Sequence, residues 1–405
     1  MTKVALLHYS TPPIVGGVES VLGHHARLMA DAGHQVRIVA GRGEQTDPRI
    51  PFVQIPMADS RHPTVLSLKA ELDKGHIPIE FEQAVASLLA NLSEVLDDVD
   101  VLIAHNVCSL NKNLALTASL YNLSKMNHLR IVLWHHDLAW TTPRYRAELH
   151  EGYPWDLLRQ AWPGVKQVTI SEMRQQELAE LFQIHQDEIA VVPNGVDFAR
   201  FHKLEEQTRE YVKKLNLLNA APLLLLPVRI TPRKNIELAL HVCSSLVQYF
   251  PETKLVVTGP LGPHNPANVE YFEMLTALRK ELKLEQVAHF LAELTTEYIP
   301  DEVISDFYHI ADALILPSRE EGFGIPVLEA GLAGLPIFCS DIPPLRSLGN
   351  SNATYFSADA DPGGIAAAIA KDLSSSLVFR MRAEVRRQYA WERIYLQKIA
   401  PLLME

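Results

Sequence analysis

The strand-to-helix segment at residues 311–333 reads ADALILPSREEGFGIPVLEAGLA. Its first six residues form an apolar run that predicts a buried strand. Pro326 suits the first turn of a helix, because its missing N–H would be unpaired there anyway. A short buried strand, a turn that contains glycine and a following helix are typical of a parallel sheet, so this segment indicates the α/β class.

Two glutamates of this segment stand eight positions apart, Glu321 in the turn and Glu329 one turn into the helix. The backbone N–H groups between them lie at a predicted helix start, where such groups are unpaired and bind anions. Carboxylates accept hydrogen bonds from hydroxyl groups, and N–H groups donate to phosphate oxygens. The segment therefore predicts a site for a nucleotide sugar.

The same alternation of strands and helices extends along the whole chain. Apolar runs predict strands at 4–9, 35–40, 99–105, 129–134, 166–171, 223–229, 254–259, 286–291, 311–316 and 335–340. Helix-period stretches predict helices at 18–32, 112–125, 172–182, 235–250, 266–282 and 326–333. Residues 57–79 lack clear periodicity and are predicted to form a long, mobile connection.

Two sets of five strands favour two doubly wound domains over one wide sheet. Turn residues at 191–197 mark the boundary. We therefore expect an N-terminal domain at 1–193, joined by a C-terminal helix at about 388–405, and a second domain at 194–387.

Composition and charge limit the class of protein. The chain has 405 residues, of which 47% are apolar and 21% charged, and no apolar run approaches the length of a membrane span. The net charge of −11 argues against general nucleic-acid binding. The sequence begins directly in a strand pattern without a signal-peptide layout, which predicts a cytoplasmic location. Cys108, Cys243 and Cys339 stand among apolar residues and are predicted to be buried thiols.

Two further segments suit a ligand that carries phosphate. Gly16 and Gly17 follow the first strand and precede a helix, where they either let the backbone approach a ligand or make a tight turn. Arg229 ends a predicted strand and Lys234 opens the next helix, so both would project to the carboxyl edge of the sheet, where ligands bind. Two fixed cations suit a diphosphate, and a solvated charge cluster is the alternative.

A third segment, Trp134-His135-His136-Asp137, ends another predicted strand. It could serve acid–base chemistry or bind a metal, but no second cluster has ligand spacing and no metal is predicted. Arg144 and Arg146 follow in an aromatic-rich stretch. This stretch suits a sugar ring or an anionic acceptor, or it is a surface loop packed by its own aromatic side chains.

In combination these segments resemble the retaining family-four glycosyltransferases. That family has the GT-B fold, in which two Rossmann-like domains face each other across a cleft and a C-terminal helix returns to the first domain. The resemblance covers nearly the whole chain, and the paired glutamates are its most specific part. Three positions depart from the family pattern: Val228 and Asn235 stand where glycine is usual, and Ser347 stands where glutamate is common, so no contact is carried over to Ser347.

The resemblance implies a role for each matching residue. The catalytic set comprises Glu321, which would bind hydroxyls of the donor sugar, Arg229 and Lys234, which would hold the diphosphate, and His136. The set that binds the nucleotide sugar comprises Gly16, Gly17, Gly322, Phe323, Gly324, Ile325, Val327, Leu328 and Glu329, the last as the ribose ligand. The acceptor set comprises His135, Asp137, Arg144 and Arg146.

The resemblance also implies an activity. We expect retaining, metal-independent transfer of a hexose, with glucose or mannose favoured, from UDP- or GDP-hexose to an acceptor hydroxyl, with no cofactor required. Arg144 and Arg146 favour an anionic acceptor, which would be a small molecule, a saccharide or a lipid-linked compound. The alternatives are a sugar-nucleotide epimerase or phosphorylase on the same fold, and a catalytically silent module that binds nucleotide sugars.

Overall fold

The computed structural model describes residues 1–126, 129–261 and 266–404, and the chain divides into two compact units. The first unit comprises Met1–Gly195 together with Trp391–Glu405, and the second comprises Val196–Ala390. Each unit is built on its own parallel sheet. The α/β class and the two Rossmann-like sheets predicted from the sequence are confirmed.

In the first unit, strands and helices alternate along the chain. The strands are β1 (Lys3–Ser10), β2 (Gln35–Arg42), β3 (Phe52–Gln54), β4 (Val101–His105), β5 (Arg130–His135), β6 (Lys166–Thr169) and β7 (Ile189–Val191). The helices are α1 (Gly17–Asp31), α2 (Pro63–Leu72), α3 (Glu80–Val95), α4 (Leu114–Ser124) and α5 (Glu172–Phe182). The sheet order is β3-β2-β1-β4-β5-β6-β7, and neighbouring strands are parallel.

A hydrophobic core covers each face of this sheet. Successive side chains of a strand point to opposite faces and so belong alternately to the two cores. In β1, Ala5 and Leu7 belong to a core with Phe81 and Leu88 of α3. Leu6, between them, belongs to the opposite core. The near-continuous apolar strands of the sequence are therefore buried on two sides.

In the second unit, the strands are β8 (Leu223–Leu226), β9 (Lys254–Val257), β10 (Ala288–Phe290), β11 (Ala313–Leu316), β12 (Ile337–Ser340) and β13 (Thr354–Phe356). The helices are α6 (Phe198–His202), α7 (Glu206–Lys214), α8 (Ile236–Leu246), α9 (Pro266–Glu281), α10 (Asp301–Ile310), α11 (Ile325–Leu332), α12 (Pro343–Gly349), α13 (Pro362–Ser375) and α14 (Leu377–Glu384). The sheet order is β10-β9-β8-β11-β12-β13, again parallel.

The C-terminal segment returns to the first unit, as predicted. It consists of α15 (Trp391–Ile394), a π-helical turn at Tyr395–Ile399 and α16 (Ala400–Met404). Trp391, Ile394 and Leu402 are buried in the core that covers the α1 side of the first sheet. An amphipathic helix at the end of the chain thus completes a hydrophobic core that begins with the first strand.

The sequence prediction missed several elements. Every predicted strand and helix is present, but in the described part of the chain the sheets have seven and six strands instead of five each. The missed strands β3, β7 and β13 lie at sheet edges and have three residues each, too few to show a period. The helices α2, α3, α6, α7, α10, α12, α13 and α14 were also not predicted.

The prediction of a mobile connection at residues 57–79 is wrong. This region contains α2, which begins with Pro63 and buries Val65, Leu68 and Leu72. The spacing of these three residues places them on one face of a helix, so the helical period was present but short.

Two further features are the cysteines and the apolar character of the helices. The three cysteines are buried free thiols, as predicted. Within the described ranges, no helix combines the length and apolar composition needed to cross a membrane.

A buried ion pair connects the end of the second unit to its central strands. Arg386 Nη2 lies 2.5 Å from Asp312 Oδ2, and the two side chains are 3% and 0% exposed. The same carboxylate oxygen accepts a hydrogen bond from the backbone N–H of Leu223 at 2.8 Å, and Arg386 Nη1 donates to the carbonyl of Ile310 at 3.1 Å. The guanidinium thus secures the chain next to β8 and β11.

We predict that Arg386→Met lowers the free energy of unfolding of the second unit by about 3–5 kcal/mol, because it leaves the Asp312 carboxylate buried and unpaired. The measurement is urea unfolding. The matched control is Arg346→Met, which removes an exposed ion pair with Asp341 in the same unit and should cost less than about 1 kcal/mol. Equal losses in the two variants would contradict the prediction.

Candidate functional site

The candidate site of the second unit lies where the strand order reverses. The chain runs from β8 outward to β9 and β10 and then returns to β11 on the other side of β8. At such a switch point the loops after the two central strands separate, and ligands bind outside the carboxyl ends of the strands. The loop after β8 carries Arg229 and Lys234, and the loop after β11 carries Glu321.

A buried ion pair joins these two loops. Lys234 Nζ lies 2.6 Å from Glu321 Oε1, and the two side chains are 9% and 7% exposed. Ser318 Oγ donates to the same oxygen at 2.7 Å. In the described residues Glu321 Oε2 accepts no hydrogen bond. The carboxylate is therefore held through one oxygen, and the other can accept a hydrogen bond from a ligand.

Asn235 shapes the loop that carries Lys234. Its backbone has φ of 53°, in the left-handed region that glycine adopts most easily. Its side-chain Nδ2 donates to the carbonyls of Pro317 at 3.1 Å and Ala358 at 2.9 Å. Asparagine thus replaces the usual glycine with little strain and also ties this loop to the end of β11, which sequence reasoning missed.

The loop after β8 differs in detail from the sequence prediction. Arg229 lies beyond the end of β8, and Lys234 ends a 3-10 turn (Pro232–Lys234) instead of opening a helix. The alternative of a solvated charge cluster is wrong for Lys234, which is buried. Arg229 is exposed, and within the described ranges it makes no ion pair or hydrogen bond through its side chain.

Gly259 allows the close packing behind Arg229. A Cβ at Gly259 would lie 1.8 Å from the carbonyl oxygen of Val228 and 2.6 Å from the backbone nitrogen of Arg229. Glycine at the end of β9 therefore permits two loops to touch at the edge of the sheet. The sequence offered only a single glycine after an apolar strand as a signal.

The turn before α11 presents backbone donors. Gly324 has φ of 101° and precedes the helix, and Pro326 lies in the first turn. Among the described residues, the N–H groups of Gly322, Phe323, Gly324 and Ile325 make no hydrogen bond. The N–H of Val327 instead donates to the carbonyl of Gly324 at 3.0 Å, and its side chain is buried. Four of the positions predicted to bind the nucleotide sugar thus offer a backbone donor, and the N–H of Val327 does not.

Glu329 is also held through one oxygen. Its Oε2 accepts a hydrogen bond from Tyr308 Oη at 2.6 Å. In the described residues Oε1 has no partner. Tyr308 is buried, and burial followed by the hydrogen bond to Glu329 raises the pKa of its hydroxyl well above the usual range.

The candidate residues of the first unit lie at its own switch point, between β1 and β4. Gly16 precedes α1 with extended backbone, and a Cβ there would lie 2.1 Å from Glu19 Oε2. Glu19 Oε1 accepts a hydrogen bond from Ser10 Oγ at 2.7 Å. A Cβ at Gly17 would meet no described atom within 4 Å, so space is open beside this residue.

His136 and Asp137 are held by a residue that sequence reasoning missed. Asn106 follows β4 with φ of 53°, and its Oδ1 accepts hydrogen bonds from the backbone N–H groups of His136 and Asp137, both at 3.0 Å. The His136 ring lies against His105, with Nε2 at 3.5 Å from His105 Nδ1. A signal was present, because an asparagine directly follows a buried strand.

His135 lies apart from this group. Its ring is buried, its Nε2 is 2.8 Å from Gln167 Oε1, and it packs edge-on against Phe182. We therefore do not carry His135 into the acceptor set. Arg144 and Arg146 lie in a 3-10 helix (Pro143–Glu148) and are exposed, with the Arg144 guanidinium over the ring of Tyr145.

The pKa values of the buried histidines of the first unit lie well below the usual range. Burial lowers the pKa of His25 to about 3 and that of His136 to about 4. The pKa of His135 is lowered to about 4, mainly by burial. His25 lies within ring-contact distance of His105, Trp134 and Trp391. Over the described residues, no group of His, Cys, Asp and Glu side chains is arranged to hold a metal ion.

Two units, each with a parallel sheet, and an ion pair at a switch point define an α/β protein with a candidate site at the edge of its second sheet. Residues 15–200 match the family model described as Glycosyltransferase Family 4, and residues 207–390 match the model described as Glycosyl transferases group 1. The chain therefore belongs to the family-four glycosyltransferases and transfers a sugar.

Several named relatives align with most of the chain. The mannosylglucosylglycerate synthase of Petrotoga mobilis is 26% identical over 364 residues, which cover 84% of this chain and 83% of that protein. The MMP alpha-(1->4)-mannosyltransferase of Mycolicibacterium hassiacum is 24% identical and covers 84% and 80%. The glycogen synthase of Mycobacterium tuberculosis is 25% identical and covers 95% and 89%.

We predict that Asn235→Ala costs more stability than Asn235→Gly. Both variants lose two hydrogen bonds, one to the buried carbonyl of Pro317 and one to the half-buried carbonyl of Ala358, which should cost about 2–3 kcal/mol. In Asn235→Ala the left-handed backbone conformation costs about 1 kcal/mol more, whereas glycine adopts this conformation freely. Urea unfolding of both variants measures the difference. If the two variants are equally stable, the left-handed conformation does not explain this position.

We also predict that the free energy of unfolding of the first unit falls as the pH is lowered from about 6.5 towards 4. In that window the unfolded chain protonates histidines that the folded chain keeps neutral, so protons favour unfolding. Urea unfolding at several pH values measures the slope. His25→Phe should flatten it, whereas the control His76→Phe, at an exposed position, should leave it unchanged. An unchanged slope in His25→Phe would contradict the prediction.

Proposed function

We propose that this chain is a retaining glycosyltransferase that moves a hexose from a nucleotide-diphosphate sugar to an acceptor hydroxyl. The observation that carries the proposal is the Lys234–Glu321 pair at the carboxyl edge of β8 and β11. A buried cation beside a carboxylate with one unused oxygen suits a ligand that carries phosphate next to a sugar.

The groups around this pair are of two kinds, hydrogen-bond acceptors and hydrogen-bond donors. Glu321 Oε2 and Glu329 Oε1 are acceptors without a protein partner among the described residues, and they suit hydroxyls of the hexose and the ribose. The N–H groups of Phe323, Gly324 and Ile325 lie between them at the start of α11 and suit phosphate oxygens. This alternation of acceptors and donors follows the order hexose, diphosphate, ribose.

The cations support the chemistry of the leaving group. In the proposed step the acceptor oxygen attacks the anomeric carbon from the face on which the diphosphate leaves. The bond from that carbon to the phosphate oxygen breaks, and this oxygen takes the proton of the acceptor. Lys234 and the exposed guanidinium of Arg229 would stabilise the negative charge that develops on the diphosphate. With two cations available, we propose that the reaction needs no metal ion.

The donor and the acceptor are proposed from chemistry and from relatives. Both the Petrotoga mobilis and the Mycolicibacterium hassiacum relatives have mannosyl in their names, which supports a mannose donor, with glucose as the alternative. UDP and GDP are both candidates for the nucleotide. His136 is a proposed catalytic residue, and Asp137, Arg144 and Arg146 are the proposed acceptor residues. The two exposed guanidinium groups favour an anionic acceptor.

We predict that Glu321→Gln lowers turnover by about 100-fold and weakens binding of the nucleotide sugar about 10-fold or more relative to binding of the nucleoside diphosphate, which is measured in the same variant because Lys234 loses its charged partner. The physical reason is that an amide replaces the carboxylate oxygen proposed to accept a hexose hydroxyl. Calorimetry and nucleotide release with UDP-glucose and GDP-mannose provide the measurements. The matched control is Glu320→Gln, since Glu320 is the exposed neighbour in the same turn.

The outcomes separate the competing functions. Equal activity of the Glu321→Gln and Glu320→Gln variants would contradict the proposed site. Rearrangement of the donor without any acceptor would favour the epimerase, and donor binding without turnover would favour a silent module. Loss of activity in excess EDTA would contradict the metal-independent reaction. Inversion of the anomeric configuration in the product would contradict retention.

We predict that the double variant Arg144→Ala/Arg146→Ala raises the KM for acceptors that carry a carboxylate or phosphate by about 10-fold or more, because two charge-assisted contacts are lost. The KM for neutral acceptors should stay unchanged. Steady-state kinetics on matched charged and neutral sugars measure both values. Arg61→Ala, a variant of an exposed arginine elsewhere in the first unit, is the control. Equal effects on both acceptor classes would remove the anionic acceptor from the proposal.

A further inference from the structure

A contact between Tyr308 and Glu329 joins two helices, one before and one after β11 along the chain. Tyr308 lies in α10, which leads into β11, and Glu329 lies in α11, which follows it. The Tyr308 hydroxyl donates to Glu329 Oε2 at 2.6 Å, and the tyrosine ring belongs to the core of the second unit. A hydroxyl in the apolar core therefore finds its partner in a carboxylate at the site.

The direction of this hydrogen bond is settled by its surroundings. Burial, and then the hydrogen bond to Glu329, raise the pKa of Tyr308, so its hydroxyl keeps its proton and donates. A hydrogen bond from a buried hydroxyl to a charged carboxylate is among the stronger kinds. Oε2 is thereby occupied, and Oε1 is the oxygen available to a ligand.

Glu329 is half-buried, and the hydrogen bond from Tyr308 is the contact that restrains its side chain in the described residues. A glutamate without such a contact loses more side-chain entropy when a ligand fixes it. A partner anchored in the core removes that cost before the ligand arrives, because binding groups act best when supporting residues already hold them.

We propose that Tyr308 is a positioning residue for nucleotide binding: it holds Glu329 so that Oε1 meets the hydroxyls of the donor ribose. This inference rests on the proposed function, in which Glu329 is the ribose ligand. The preference of the site for a ribonucleotide then depends on Tyr308, which acts through Glu329 and does not itself touch the ligand.

The test is calorimetry with four probes: UDP, GDP and the 2′,3′-dideoxy form of each. For whichever nucleotide binds, the measured quantity is the Kd of the dideoxy form divided by the Kd of the ribose form. A partly unfolded sample changes the binding stoichiometry but not this ratio. In Tyr308→Phe the Kd of the ribonucleotide should rise roughly 10-fold. The Kd of the dideoxynucleotide should stay unchanged, so the preference for ribose falls.

Two further variants separate positioning from a general structural effect. Tyr298 donates to Asp301 at 2.6 Å on the exposed surface of the same unit, so Tyr298→Phe breaks a similar contact away from the site and should leave the ratio unchanged. In Glu329→Ala the preference for ribose should already be lost, and adding Tyr308→Phe should change the ratio no further.

The contradicting outcomes are distinct. If Tyr308→Phe weakens both forms of the nucleotide equally, or neither, Tyr308 does not position Glu329 for ribose, although the proposed donor site stands. If the unmodified protein binds neither UDP nor GDP, the proposed donor site fails and the role of Tyr308 fails with it.

Discussion

The second unit depends on a charge pair that water cannot reach freely. Removing Lys234 and Glu321 from water costs several kcal/mol per ion, which is recovered only when geometry and additional hydrogen bonds are good. Ser318 supplies one such bond. Asn235 holds the loop of Lys234 against the end of β11, so the two loops keep their places at the edge of the sheet. These contacts join the loop that carries Lys234 to the loop that carries Glu321.

Each of the two paired glutamates uses one oxygen for the protein. Glu321 is held by a cation and a hydroxyl, whereas among the described residues Glu329 is held by Tyr308 alone. The cation that holds Glu321 is also the one proposed to stabilise the diphosphate, whereas no cation forms an ion pair with Glu329 in the described residues. A carboxylate held at one oxygen has a defined direction for the other, which is the property that specific recognition of hydroxyls requires.

Much of this arrangement could be predicted from the sequence, for identifiable reasons. Buried parallel strands have long apolar runs, so the central strands were found, while three-residue edge strands such as β13 leave no period to detect. Residue types with a defined chemistry, such as Glu321 and Lys234, were also found. Their direct pairing could not be predicted, because it depends on how two loops approach. Asn106 and Tyr308 were missed because each acts through a neighbour.

The most direct test of the donor site is hydrogen exchange of the turn before α11. If the N–H groups of Phe323, Gly324 and Ile325 receive the phosphates, they should exchange rapidly in the free protein and slowly with saturating UDP-glucose or GDP-mannose. Exchange resolved to residues 322–328 measures this. Strong protection there with one of the two donors is the predicted result. A donor that binds while these residues exchange as before would contradict the proposed donor site.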